Sequence, residues 1–182
     1  VTVYVNALPT IAIAGGGNVC TGSTSTLTAS GALTYTWSPS QYLSATTGAS
    51  VNCTPLANKT YTIKGTDANG CTATTTTSVT LVPVPVITLG PGNPQLCFGS
   101  VVNFTAAGAI SYTWTPSTGL TQTTGANVTA SPTVNTTYSV IGTNAAGCTA
   151  MNSTSVTVLT PSPINAGTDG AICLGQSYTL HG

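Results

Sequence analysis

Charge is almost missing from this sequence. Its 182 residues carry four ionised side chains, Lys59, Lys64, Asp67 and Asp169, with no Arg, no Glu and a single His at position 181. General acid–base catalysis needs a titratable group paired with a second one in a cleft, and the two aspartates fall in different parts of the chain. Zinc sites need clustered Cys and His, and calcium sites need several carboxylates. Nucleic acid is held by Lys and Arg against phosphate, and two lysines close together cannot supply that. The expectation is therefore no enzyme, no metal, no cofactor and no nucleic-acid partner. Long apolar runs are missing too: none reaches the roughly 18 residues of a membrane span, and no basic-then-apolar leader opens the sequence. The segment reads as mature, soluble and without a membrane span.

Hydroxyls stand where charge does not. There are 39 Thr and 17 Ser, with 20 Gly and 11 Pro. Thr is β-branched and suits a pleated, half-exposed surface. So much Ser, Thr, Gly and Pro also suits disorder, but 41% hydrophobic content and a regular alternation argue for a folded all-β chain.

Shifting the sequence by 77 residues aligns Cys20–Val82 with Cys97–Leu159 without a gap, and 33 of those 63 positions are identical. GALTYTWSPS returns as GAISYTWTPS, and TYTIKGTDANGCTA as TYSVIGTNAAGCTA. A fixed period of this length marks a repeat architecture. The expected organisation is a final strand of a preceding repeat at 1–8, full repeats at 9–82 and 83–160, and the first strands of a truncated repeat at 161–182. Leu33, Tyr35 and Trp37 alternate with Thr34, Thr36 and Ser38, and Ile110, Tyr112 and Trp114 alternate in the same way. Tyr61, Ile63 and Gly65 do so against Thr62 and Lys64. Period two with one apolar face predicts half-buried strands. Asp67-Ala-Asn-Gly70 and Asn144-Ala-Ala-Gly147 are turn sequences for a hairpin between the last two strands. Six or seven short strands per repeat predict tandem Ig-like β-sandwiches. Pro83-Val-Pro85 and Pro161-Ser-Pro163 predict short, extended linkers, each repeat advancing a semi-rigid rod by about 35–40 Å.

Cys20 and Cys71 are 51 residues apart, and so are Cys97 and Cys148. A repeat of this size is marginal alone, and closing a loop of about 50 residues would contribute roughly 4 kcal/mol. The expected disulfides are Cys20–Cys71 and Cys97–Cys148, against two buried free thiols at matching positions. Disulfides that persist imply a location outside the cytoplasm. Cys173 is expected unpaired within the chain. Cys53, whose place Ala130 takes in the second repeat, is expected unpaired and buried, with an intermolecular cross-link as the alternative.

Trp37 and Trp114 read as core residues rather than a sugar-stacking platform. Tyr42, replaced by Gly119, is the better exposed contact, and Tyr61 and Tyr138 resemble the corner tyrosine of Ig-type domains. His181 reads as solvated. Gly15-Gly-Gly17, with no Lys near, reads as a flexible loop rather than a phosphate cradle. Asn-x-Ser/Thr triplets at Asn52, Asn58, Asn103, Asn127, Asn135 and Asn152 are too common here to carry weight.

The pattern C-x-G-S…YTW-x-P…TTGA-x-V…TYTI-x-GTDANGCTA…V-P-x-P resembles the Ig-like or PKD-like repeats of very large secreted bacterial surface proteins, of the gliding-adhesin kind. The resemblance implies an extracellular, cell-surface location and a structural or adhesive fibre, with no active-site residues to carry over. The implied partners are neighbouring repeats of the array, other copies in a fibre, and a glycan or surface ligand. A spacer or carbohydrate-binding module of a secreted multidomain protein is the alternative.

Overall fold

The computed structural model describes residues 2, 3 and 5–160, and among them every regular element is a strand. The first seven are β1 (Ala12–Ala14), β2 (Gly17–Cys20), β3 (Ser25–Ser30), β4 (Thr34–Ser38), β5 (Ser50–Cys53), β6 (Lys59–Thr66) and β7 (Thr72–Val82). The next seven repeat them: β8 (Thr88–Gly90), β9 (Gln95–Cys97), β10 (Val102–Ala107), β11 (Ser111–Thr115), β12 (Asn127–Ala130), β13 (Thr136–Thr143) and β14 (Thr149–Leu159). Each set forms a three-stranded sheet, β1-β3-β5 or β8-β10-β12, and a four-stranded one, β2-β7-β6-β4 or β9-β14-β13-β11. The chain folds as tandem Ig-like β-sandwiches.

Alternation does the sorting. Along β4 and β11 the threonines and Ser38 or Ser111 face out, while Tyr35, Trp37, Tyr112 and Trp114 are buried. Lys64 likewise points out between the buried Ile63 and Gly65. Two separate cores result, one about Leu27, Trp37, Tyr61 and Ile63, the other about Phe104, Trp114, Tyr138 and Val140. In the second, the Phe104 ring lies 5.8 Å from those of both Trp114 and Tyr138. Phe104 and Ala130 stand where the first core has Leu27 and Cys53, a larger and a smaller side chain whose volumes offset one another. Leu33 and Ile110 depart from the expected inward face: they are 69% and 73% exposed. Both precede the first residue of their strand, so they overhang the end of the sandwich instead of entering it.

The opening strand of each sandwich is split between the sheets. β1 pairs antiparallel with β3, Ala12 opposite Ser30. Gly15, Gly16 and Gly17, all at positive φ, then carry the chain across, and β2 pairs parallel with β7, from Gly17 opposite Val79 to Cys20 opposite Val82. That glycine run is a strand switch, not a loose loop. In the second sandwich Asn93 makes the same crossing: its N–H donates to Thr154 Oγ1 (2.9 Å), and its Oδ1 accepts from Ser155 N (3.1 Å). β9 then pairs parallel with β14, ending with Cys97 opposite Leu159. The described residues before Ala12, expected to include the last strand of a preceding repeat, lie in no strand, and Val3 and Val5 are exposed. The truncated repeat at 161–182, with Cys173 and His181, lies outside the described residues.

Candidate functional site: the junction between the repeats

The hairpin turn after β13 is built on one side chain. Asn144 Oδ1 accepts from Ala146 N (3.0 Å) and Cys148 N (2.9 Å), and Asn144 N donates to Cys148 O (2.9 Å). An Asx turn of this kind satisfies backbone donors that the hairpin leaves over. The amide's other end stays available, and Asn144 Nδ2 donates to Pro83 O (3.0 Å), the first carbonyl of the linker. At the far end of the first sandwich, Thr21 N and Thr21 Oγ1 both donate to Val82 O, at 2.8 and 3.2 Å. Cys20 therefore sits beside the point where the chain leaves the first repeat, and Cys148 beside the turn that touches that exit.

These two cysteines form a disulfide, with Cα atoms 5.6 Å apart and a sequence separation of 128. The expected pairs within each repeat are not formed: Cys71 and Cys97 are free thiols. The reason is the parallel pairing of the split strand. Cys20 lies level with Val82 at the end of β7, whereas Cys71 precedes its first residue, Thr72. Eleven residues of strand at roughly 3.3 Å each separate them by about 35 Å, and a disulfide bridges Cα atoms no more than about 7 Å apart. Cys97, opposite Leu159, and Cys148, before Thr149, stand at opposite ends of β14 in the same way. Each repeat thus carries one cysteine at each end, and the bond joins one repeat to the next.

Cys53 lies apart from this, fully buried, with Sγ 3.3 Å from Tyr61 Oη. Tyr61 Oη donates to Gln41 O and Tyr138 Oη to Thr118 O, both at 2.8 Å, so each corner tyrosine ties a loop to its sheet. Burial raises the Tyr61 phenol well above its usual range, with the Cys53 hydrogen bond next in effect. Burial also raises that of Tyr138, against a smaller lowering by Thr136. Trp37 Nε1 donates to Gly48 O (2.9 Å) and Trp114 Nε1 to Gly125 O (2.8 Å), so both indoles are buried and used internally. Tyr42, expected as the more exposed aromatic, is half-buried against the first core at φ +68°. Several triplet asparagines are in structural use: Asn58 Oδ1 accepts from Leu81 N and Asn135 Oδ1 from Val158 N, both at 2.8 Å.

Among the described residues no three of His, Cys, Asp and Glu gather as a metal site. A groove of about 330 Å³ runs along Leu33, Tyr35, Thr36, Thr47 and Ala49, and no charged side chain lines it. What the arrangement does chemically is covalent and mechanical: it locks one sandwich to the turn of another.

The pairing and the role of Asn144 escaped the sequence reading. The signal for the first was the place of Cys20 at the end of a strand that runs beside β7. For the second it was the exchange of Asp67 for Asn144 in otherwise matching turns.

No protein-family model matches the chain, and no curated protein matches its sequence. Among solved structures, three N-terminal domains of the highly immunogenic outer capsid protein of bacteriophage RB49 align over 82% of this chain and 59% of that one, at 16% identity and a TM-score of 0.44. An I-band fragment of titin aligns over 86% of this chain and 68% of its own, at 17% identity and a TM-score of 0.41. Murine CEACAM1b aligns over 82% of this chain and all of its own, at 12% identity and a TM-score of 0.38. The chain spans about three fifths of the phage fragment.

Proposed function

We propose that this chain is a non-enzymatic structural or adhesive segment of an extracellular cell-surface fibre built from Ig-like repeats. The observation that carries the reading is the Cys20–Cys148 bond across the repeat junction. Such a bond persists in oxidising surroundings outside the cytoplasm, and it ties one repeat to the next. The near absence of charge supports the same reading, because it leaves few groups to pair as general acid and base. The resemblance of the repeat to bacterial surface arrays agrees with it. The alternative of a carbohydrate-binding module is disfavoured, since the Trp37 and Trp114 indoles are committed to the cores and Tyr42 is half-buried against the first.

The test is location and redox state together. Antibody against the segment should label intact, unpermeabilised cells, and the protein sheared from their surface should hold Cys20 and Cys148 oxidised. Contacts between uncharged surfaces respond little to screening, so the sheared material should stay assembled from low salt to 1 M salt. A chain found inside the cell with Cys20 and Cys148 reduced would overturn the reading.

A further inference from the structure

The repeat and the bond, taken together, leave two cysteines whose counterparts are already paired. Cys97 is Cys20 shifted by 77 residues, and Cys71 is Cys148 shifted back by 77. Each keeps the local geometry of its bonded equivalent. Cys97 closes a parallel strand pair opposite Leu159, as Cys20 does opposite Val82. Phe98 N donates to Leu159 O at 3.0 Å, as Thr21 N does to Val82 O at 2.8 Å. Cys71 N donates to Asp67 Oδ1 at 2.9 Å, matching Cys148 N on Asn144 Oδ1. What differs is cover. Cys148 is 1% exposed, against a half-buried Cys71, and Cys20 is half-buried, against an exposed Cys97. The two open cysteines are bared where the bonded pair is covered by the adjoining repeat.

We propose that Cys71 and Cys97 are the two halves of further bonds of the Cys20–Cys148 kind, and that the partner at each is another repeat of this same type. Cys97 takes a hairpin cysteine in the position of Cys71 or Cys148. Cys71 takes a strand-end cysteine in the position of Cys20 or Cys97. Each bond forms by thiol–disulfide exchange with a small-molecule disulfide such as oxidised glutathione. Two protein thiols lose two electrons and two protons, and the donor leaves as two thiols. The contact is head to tail, so each bond leaves a further open cysteine at either end, and the array propagates as a fibre wherever the rotation between repeats does not close a ring.

The two ends are not equal. Asn144 Nδ2 donates to the linker carbonyl of Pro83, whereas Asp67, in the same place, has no hydrogen to give. A junction made at Cys71 therefore lacks one hydrogen bond that the Cys148 junction has, and Asp67→Asn restores it.

The inference shares with the proposed function only the oxidising surroundings. Open cysteines that stay reduced while Cys20–Cys148 closes would overturn it and leave that function standing. A full chain carrying Cys53→Ala and Cys173→Ser provides the test in a glutathione redox buffer. Two variants are added to it, one with Cys97→Ser and one with Cys71→Ser. Each variant alone should remain a monomer with Cys20–Cys148 closed. Mixed, they should give a heterodimer joined between Cys97 of one and Cys71 of the other, identified by peptide mass analysis without reduction. Asp67→Asn should raise its yield several-fold. In native surface material, a Cys97 peptide joined to TDANGCTA would mark a second copy of this segment. One joined to a different hairpin sequence would mark another repeat, and either supports the proposal. Symmetric dimers of a single variant, or a bond between Cys20 and Cys71, would overturn it.

Discussion

At the residue scale, Cys53 and Tyr61 are the pair to test. Cys53 fills a closed part of the first core and touches the phenol that holds Gln41 O. Cys53→Ala should cost about 1 kcal/mol by leaving a small cavity, read as a lower denaturant midpoint at unchanged slope, and native Cys53 should resist alkylation while Cys97 reacts. The two corner tyrosines make the fold sensitive to base. Burial raises both phenols, so the folded chain holds those protons more tightly than the unfolded chain does. Their contribution is complete below the ordinary tyrosine range near pH 10 and declines as pH rises beyond it. Melting temperature followed from pH 8 to 12 should fall above about pH 10, and Tyr61→Phe should flatten part of that fall. Period two was enough to place Tyr35, Trp37, Tyr61 and Ile63 inside. It could not place Leu33 or Ile110, because alternation reports a face and says nothing of where the sheet stops.

At the scale of elements, the turns decide what pairs with what. Gly108 sits at φ +101°, and a Cβ there would run into Val86 O of the strand entry. Gly31 faces Thr10 O in the same manner. Gly108→Ala should therefore destabilise the second sandwich by about 1–3 kcal/mol, visible as a lowered melting midpoint for that repeat with the first unchanged in the reduced protein. Asn144→Asp keeps the turn and removes the donor to Pro83 O. With a hydrogen bond worth about 1 kcal/mol, the glutathione equilibrium of Cys20–Cys148 should move towards reduction by about five- to tenfold. The hairpin turns and the repeat period were readable from composition and self-alignment. The sheet switch at Gly15-Gly-Gly17 was not, because a glycine run permits many paths and only packing against β7 selects one. That missed switch is why equal spacings of 51 residues suggested bonds that β7 and β14 hold far apart.

At the scale of the whole molecule, the bond between repeats redirects any pull along the chain. Tension entering near Thr10 reaches Cys20 by way of β1 and β2, crosses the sulfurs to Cys148 and leaves along β14. The chain between those cysteines, a sequence separation of 128, lies off that line. Strands are already close to full extension, so the loaded path has little length left to yield. Reduction would return the hidden chain to the path, at roughly 3.4 Å per residue or about 430 Å in all. Force spectroscopy of the oxidised segment should show extension without sandwich unfolding, and the same segment in reductant should unfold in two steps that together release that length. Both sandwiches hang beside a covalent tether, and the segment's reach under load is set by its thiols rather than by the stability of its folds.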